Sequence, residues 1–96
     1  MIAATHVSDI DAPGMPPGAF EFFVAHGGDG APVGMFYLCP CGCGRRGVLH
    51  FRPHPSPSWQ WDGNRDKPTL SPSVHDMPNG KTHWHGYLRN GVWESC

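Results

Sequence analysis

Glycine and proline punctuate this chain so densely that a helix has almost nowhere to form. Thirteen glycines and eleven prolines stand among 96 residues, and after Pro13 no stretch free of both reaches the ~11 residues of an ordinary helix. What remains is a set of short extended runs joined by turns. Phe20-Glu21-Phe22-Phe23-Val24-Ala25 reads as a first strand, and His26 to Gly34 as the turn after it. Met35-Phe36-Tyr37-Leu38 runs into a cysteine cluster and Val48-Leu49-His50-Phe51 returns from it, which predicts a hairpin. Arg52 to Ser58 carries Pro53, Pro55 and Pro57 and is expected as an extended linker, followed by the short alternation Trp59-Gln60-Trp61 and a turn at Asp62-Gly63. Thr82 to Leu88 and Val92 to Ser95 form a second hairpin across Arg89-Asn90-Gly91, because Asn-Gly tolerates the positive φ angles of a tight turn. The expected class is a small, irregular all-β fold of antiparallel hairpins with little or no helix.

Such a fold has a thin core. Valine, leucine, isoleucine and phenylalanine number only 17 of the 96 residues, yet a formal net charge of -1 and four tryptophans argue for a folded chain. Something besides aliphatic burial must hold it together. Four cysteines are the candidates, and three of them, Cys39, Cys41 and Cys43, fall within five residues, too crowded for bridges across a fold. The start, Met1-Ile2-Ala3-Ala4-Thr5-His6-Val7, lacks the basic patch and apolar stretch of a signal peptide, and no later run could span a membrane. A reducing cytoplasm is therefore expected, where clustered cysteines are metal ligands more often than disulfides.

The reading is a structural Zn2+ at the hairpin tip, in a knuckle whose glycines directly after Cys41 and Cys43 give the tight turns that aim thiolates. Common knuckles space their cysteines two residues apart, whereas these stand at alternate positions, so one of the three could be a bystander. The fourth ligand comes from Cys96, His54, His83 or His85. Cys96 is the first choice, being a thiolate at the close of the C-terminal hairpin. His83 and His85, one residue apart on an expected strand, should face the same way and approach one site. A hydrolytic zinc could use that pair, but a thiolate-rich closed set suits a structural ion better. Met1 to Ala19, with Pro13, Pro16 and Pro17, is expected as a flexible arm, and residues 20–96 as a single zinc-binding β domain. Seven Lys and Arg against eight acids, with pI near 6.6, argue against a nucleic-acid partner.

From Leu38 onward a longer pattern is legible: Cys39-Pro40-Cys41-Gly42-Cys43-Gly44, then Trp59-Gln60-Trp61-Asp62-Gly63, then Lys67-Pro68-Thr69-Leu70-Ser71-Pro72-Ser73-Val74, then His85 before Asn90-Gly91. Over roughly these last 60 residues the chain resembles the BubE peptidases of bacterial ubiquitin-like (Bub) operons and related phage proteins of unknown role. The resemblance implies a zinc-supported serine peptidase that cuts at the C-terminal tail of a ubiquitin-like protein, with Ser73 as nucleophile, in preference to Ser71, and His85 as base. It also implies a cysteine just ahead of that histidine, where Lys81-Thr82-His83-Trp84 has none; His83 stands in as a candidate ligand.

The chemistry needs a base within hydrogen-bond reach of the serine and N–H groups for the oxyanion. Asp62, Asp76 and Glu21 are the candidates for an acid that orients His85, with nothing in the sequence to choose among them. The competing reading is a non-catalytic zinc-binding interaction module in which Ser-Pro-Ser is ordinary turn chemistry.

Overall fold

The computed structural model describes residues 2–77 and 80–96, and among these it contains ten strands and no α-helix. One sheet has the order β1 (Ile2–Ala3), β10 (Val92–Ser95), β9 (Trp84–Arg89), β8 (Val74–Asp76), with every neighbour antiparallel. A second runs β2 (Thr5–His6), β3 (Ala19–Val24), β4 (Pro32–Leu38), β5 (Arg46–His50), antiparallel except for the β2–β3 pair. A short ladder joins β6 (Gln60–Trp61) to β7 (Leu70–Ser71). The all-β class with antiparallel hairpins is thus the one that forms.

Local chemistry sets the connections. Asn90 (φ 49°) and Gly91 (φ 73°) both sit in the left-handed region, as a two-residue turn between Arg89 and Val92 requires. Asp62 closes the β6–β7 turn by accepting from the N–H groups of Asn64 (3.0 Å) and Thr69 (3.2 Å). The return strand from the cysteine loop begins two residues earlier than expected, at Arg46, because the Cys39 N–H already donates to the Arg45 carbonyl at 2.8 Å.

The N-terminal residues read as an arm carry β1 and β2. Ile2 lies opposite Trp93, and Ile10 is buried, its N–H donating to Glu21 Oε1 at 2.9 Å. Phe20, Met35, Tyr37 and Leu49 from the second sheet, with Phe51 just past β5, share one core cluster with Leu70, Val74, Leu88 and Trp93. Tyr37 and Trp93 join the two sheets at a ring separation of 5.2 Å, and the Trp93 indole donates to the Gly18 carbonyl. Each of these large side chains contributes roughly 1.5–3 kcal/mol through burial. Aromatic rings do what the few aliphatic residues cannot.

Candidate catalytic pair and metal site

The loop between β4 and β5 reverses through Gly42 (φ 87°) and Gly44 (φ 81°), conformations that cost a Cβ-bearing residue strain. It gathers three sulfurs around one histidine. The donor atoms of Cys39, Cys41, Cys43 and His83 all lie within 4.8 Å of one another. Cys39 Sγ is 3.2 Å from Cys41 Sγ, while His83 Nε2 is 3.4 Å from Cys41 Sγ and 3.2 Å from Cys43 Sγ.

A tetrahedral zinc with bonds of about 2.3 Å to sulfur and about 2.0–2.1 Å to nitrogen needs S···S edges near ~3.8 Å and S···N edges near ~3.6 Å. The donor set and its spacing therefore suit one such ion after small adjustments. Burial pushes the Cys39 thiol up to about 12, so a thiolate there needs a cation beside it, whereas hydrogen bonds from Cys39 and Cys43 draw the exposed Cys41 thiol down.

Sequence reasoning preferred Cys96 as the fourth ligand, but the residue brought to the cysteines is His83. Cys96 lies past β10, where its N–H donates to the His85 carbonyl (2.9 Å), so continued pairing with β9 carries it away from the loop. His54 stacks on His50 instead. His83 and His85 also part company. β9 starts at Trp84, so His83 lies outside the strand's alternation, its N–H held by the Asp76 carbonyl at 2.8 Å. One histidine faces the sulfurs and the other a hydroxyl.

That hydroxyl belongs to Ser73. The β8–β9 register sets Val74 opposite Gly86 and His75 opposite His85. Val74 points into the core, so its neighbours Ser73 and His75 project to the other side, toward His85. Ser73 Oγ lies 3.0 Å from His85 Nε2, a hydrogen-bonding distance. The intervening connection includes Pro78 and Asn79, which lie outside the described residues. Ser71 sits in β7 opposite Gln60.

The three acids considered as orienters of His85 each have another partner. Asp62 holds its own turn, Asp76 pairs with Arg45 Nε at 3.0 Å, and Glu21 accepts from Ile10. What lies against His85 is a residue the sequence reading passed over. The His75 ring stacks on it at 4.3 Å and 24°, and His75 Nε2 is 2.7 Å from Thr82 Oγ1. Its signal was the alternation Ser73-Val74-His75, with the apolar residue in the middle.

The Trp59 indole donates to the Ser73 carbonyl at 3.2 Å, tying the serine to the residues after β5. Among the described residues no helix is long and apolar enough to cross a membrane. Compared with known families, the chain matches the model described as bacterial ubiquitination-like system serine protease (BubE) over residues 9–96. No curated protein and no solved structure matches it.

Proposed function

The chain belongs to the BubE family of bacterial ubiquitination-like system serine proteases, and from that membership we propose that it cuts the C-terminal tail of a ubiquitin-like protein, with Ser73 as nucleophile and His85 as general base. The observation that carries the assignment is the 3.0 Å approach of Ser73 Oγ to His85 Nε2. Ser73 Oγ attacks the carbonyl carbon of the scissile amide while its proton passes to His85 Nε2. Collapse of the tetrahedral intermediate expels the amine, which takes that proton, and leaves an acyl ester on Ser73. Water, deprotonated by the same imidazole, then adds to the ester, and the serine oxygen departs with the proton. His75, stacked on His85, restrains the tilt of the ring that meets the hydroxyl, which is the orienting part of what a carboxylate does in a triad.

Cys39, Cys41, Cys43 and His83 complete a four-donor set, which suits a structural zinc that would tie the β4–β5 loop to the start of β9 and supply folding energy. The chain then works wherever its thiols stay reduced. A non-catalytic zinc module draws its support from the acids, all three of which have partners other than His85. Incubation with ubiquitin-like precursors carrying a C-terminal extension separates the two readings. The wild-type chain should remove the extension and folded Ser73→Ala should not; cleavage by Ser73→Ala would overturn the assignment.

A further inference from the structure

Two sheet edges face each other in this molecule. β5 ends one sheet and β8 ends the other, and between them lies a cleft of about 440 Å³ whose walls include Arg46, Gly47, Val48, Val74 and Asp76. That volume falls within the roughly 300–1,000 Å³ typical of ligand sites.

The β4–β5 ladder determines which backbone groups of β5 face outward. Cys39 N–H donates to Arg45 O and Phe51 N–H to Val33 O, each at 2.8 Å. Tyr37–Gly47 and Met35–Leu49 are therefore the hydrogen-bonded pairs, and the N–H and C=O groups of Arg46, Val48 and His50 point away from β4. The His50 carbonyl is taken by the Trp59 N–H at 2.8 Å. Among the described residues, Arg46 and Val48 have no such cover, and an uncovered edge is satisfied most fully by another extended backbone.

The ends of the cleft are marked. At the start of β5, Arg45 crosses to Asp76 at the end of β8 (3.0 Å). At the other end, Trp59 is bonded through its backbone to His50 and through its indole to Ser73. β5 and β8 thus run in opposite directions along the cleft, with the serine at the His50 end.

We propose that this cleft binds the substrate tail as an added strand: about three residues on the N-terminal side of the scissile bond pair with Arg46–Val48, running in the direction of β5 from the Arg45–Asp76 bridge toward Ser73. The free edge is three residues, about 10 Å of extended chain. The space beside Gly47 is filled by the Tyr37 ring, which forms part of the cleft wall. The inference rests on the peptidase reading and adds the binding mode to it.

The test uses capped tetrapeptidyl aryl phosphonates randomised in sequence, the corresponding single-residue phosphonates, and the tetrapeptides N-methylated at one backbone nitrogen at a time. Modification of Ser73 is followed by mass spectrometry on the full chain. The tetrapeptides should react at least tenfold faster than the single-residue reagents, and N-methylation should erase that gain at alternate positions only. Val48→Pro, which deletes an outward N–H and no bond to β4, should also erase the gain. A gain that survives every N-methylation overturns the added-strand mode, and the methylation series decides this alone where Val48→Pro fails to fold. Absence of any Ser73 modification in the folded wild-type chain overturns the peptidase reading itself, and this inference with it.

Discussion

Replacing His85 by Gln tests whether metal and chemistry occupy separate histidines. The substitution removes the proposed base, 3.0 Å from Ser73 Oγ, and leaves His83, whose Nε2 lies 3.2 Å from Cys43 Sγ, in place. A positioned general base contributes about a hundred- to ten-thousandfold, or roughly 3–5 kcal/mol of barrier. The loss should fall in that range, because the neighbouring imidazole, His75, has its Nε2 engaged with Thr82 Oγ1 at 2.7 Å and does not replace His85 at the serine. Ser73→Ala should cost about as much, and the double variant little more, since the two groups act as a unit. Cleavage rates on a tailed ubiquitin-like precursor, measured beside zinc content and thermal melting, provide the assay. A folded His85→Gln chain that cleaves within tenfold of wild type, or one emptied of zinc, refutes the reasoning.

Elemental analysis should find about one zinc per chain, with Cys39→Ser and His83→Ala each lowering zinc retention and melting temperature; a chelated chain that melts as cooperatively as the untreated one would remove the structural role. Gly47→Ala puts a methyl against the Tyr37 ring, 2.7 Å from its hydroxyl oxygen, while Trp93 closes off the ring's retreat. Overpacking of this kind costs about 1–3 kcal/mol, and each kcal/mol lowers Tm by roughly 4–8 °C in a domain of this size, so an unchanged melting curve would contradict it. His75→Ala loses a ring stack worth about 0.5–1.5 kcal/mol and should lower kcat by a few-fold to tenfold with KM little changed, and His75→Phe should restore most of it; equal rates for all three chains would mean the stack positions nothing.

What could be read in the sequence was what local chemistry decides. The Asn90-Gly91 turn, the return from the cysteine loop and the scarcity of helix each depend on a few adjacent residues, and each formed within a residue or two of its expected place. Ser73 and His85 were singled out by the family resemblance, and the structure brings them within hydrogen-bonding distance because one short antiparallel pair connects them. Contacts between distant segments were not. β1 pairs with β10 across most of the chain, and its two residues bear no strand signature of their own. The choice between Cys96 and His83 turned on where β9 begins, since a one-residue shift at that boundary reverses which side a histidine faces. The sequence chose none of the three acids, and one of them, Asp62, is followed by glycine and serves its own turn.

The two centres depend on different kinds of contact. The distance between Ser73 and His85 is set mainly by the register of β8 on β9, with the Ser73 carbonyl held from outside that sheet by the Trp59 indole. The cleft beside them is bounded by the edges of two sheets, and its width is fixed by whatever holds those sheets together. At the far end that is the Arg45–Asp76 pair, an exposed contact of the kind that contributes at most about 1 kcal/mol, together with the donor set that joins His83 to the cysteine loop. An ion bound by three thiolates and an imidazole is far the stronger of these two ties. The Ser73–His85 pair thus depends on strand register, while the spacing of the two sheets rests on the Tyr37–Trp93 contact of the shared core and, were an ion bound, on the donor set as well.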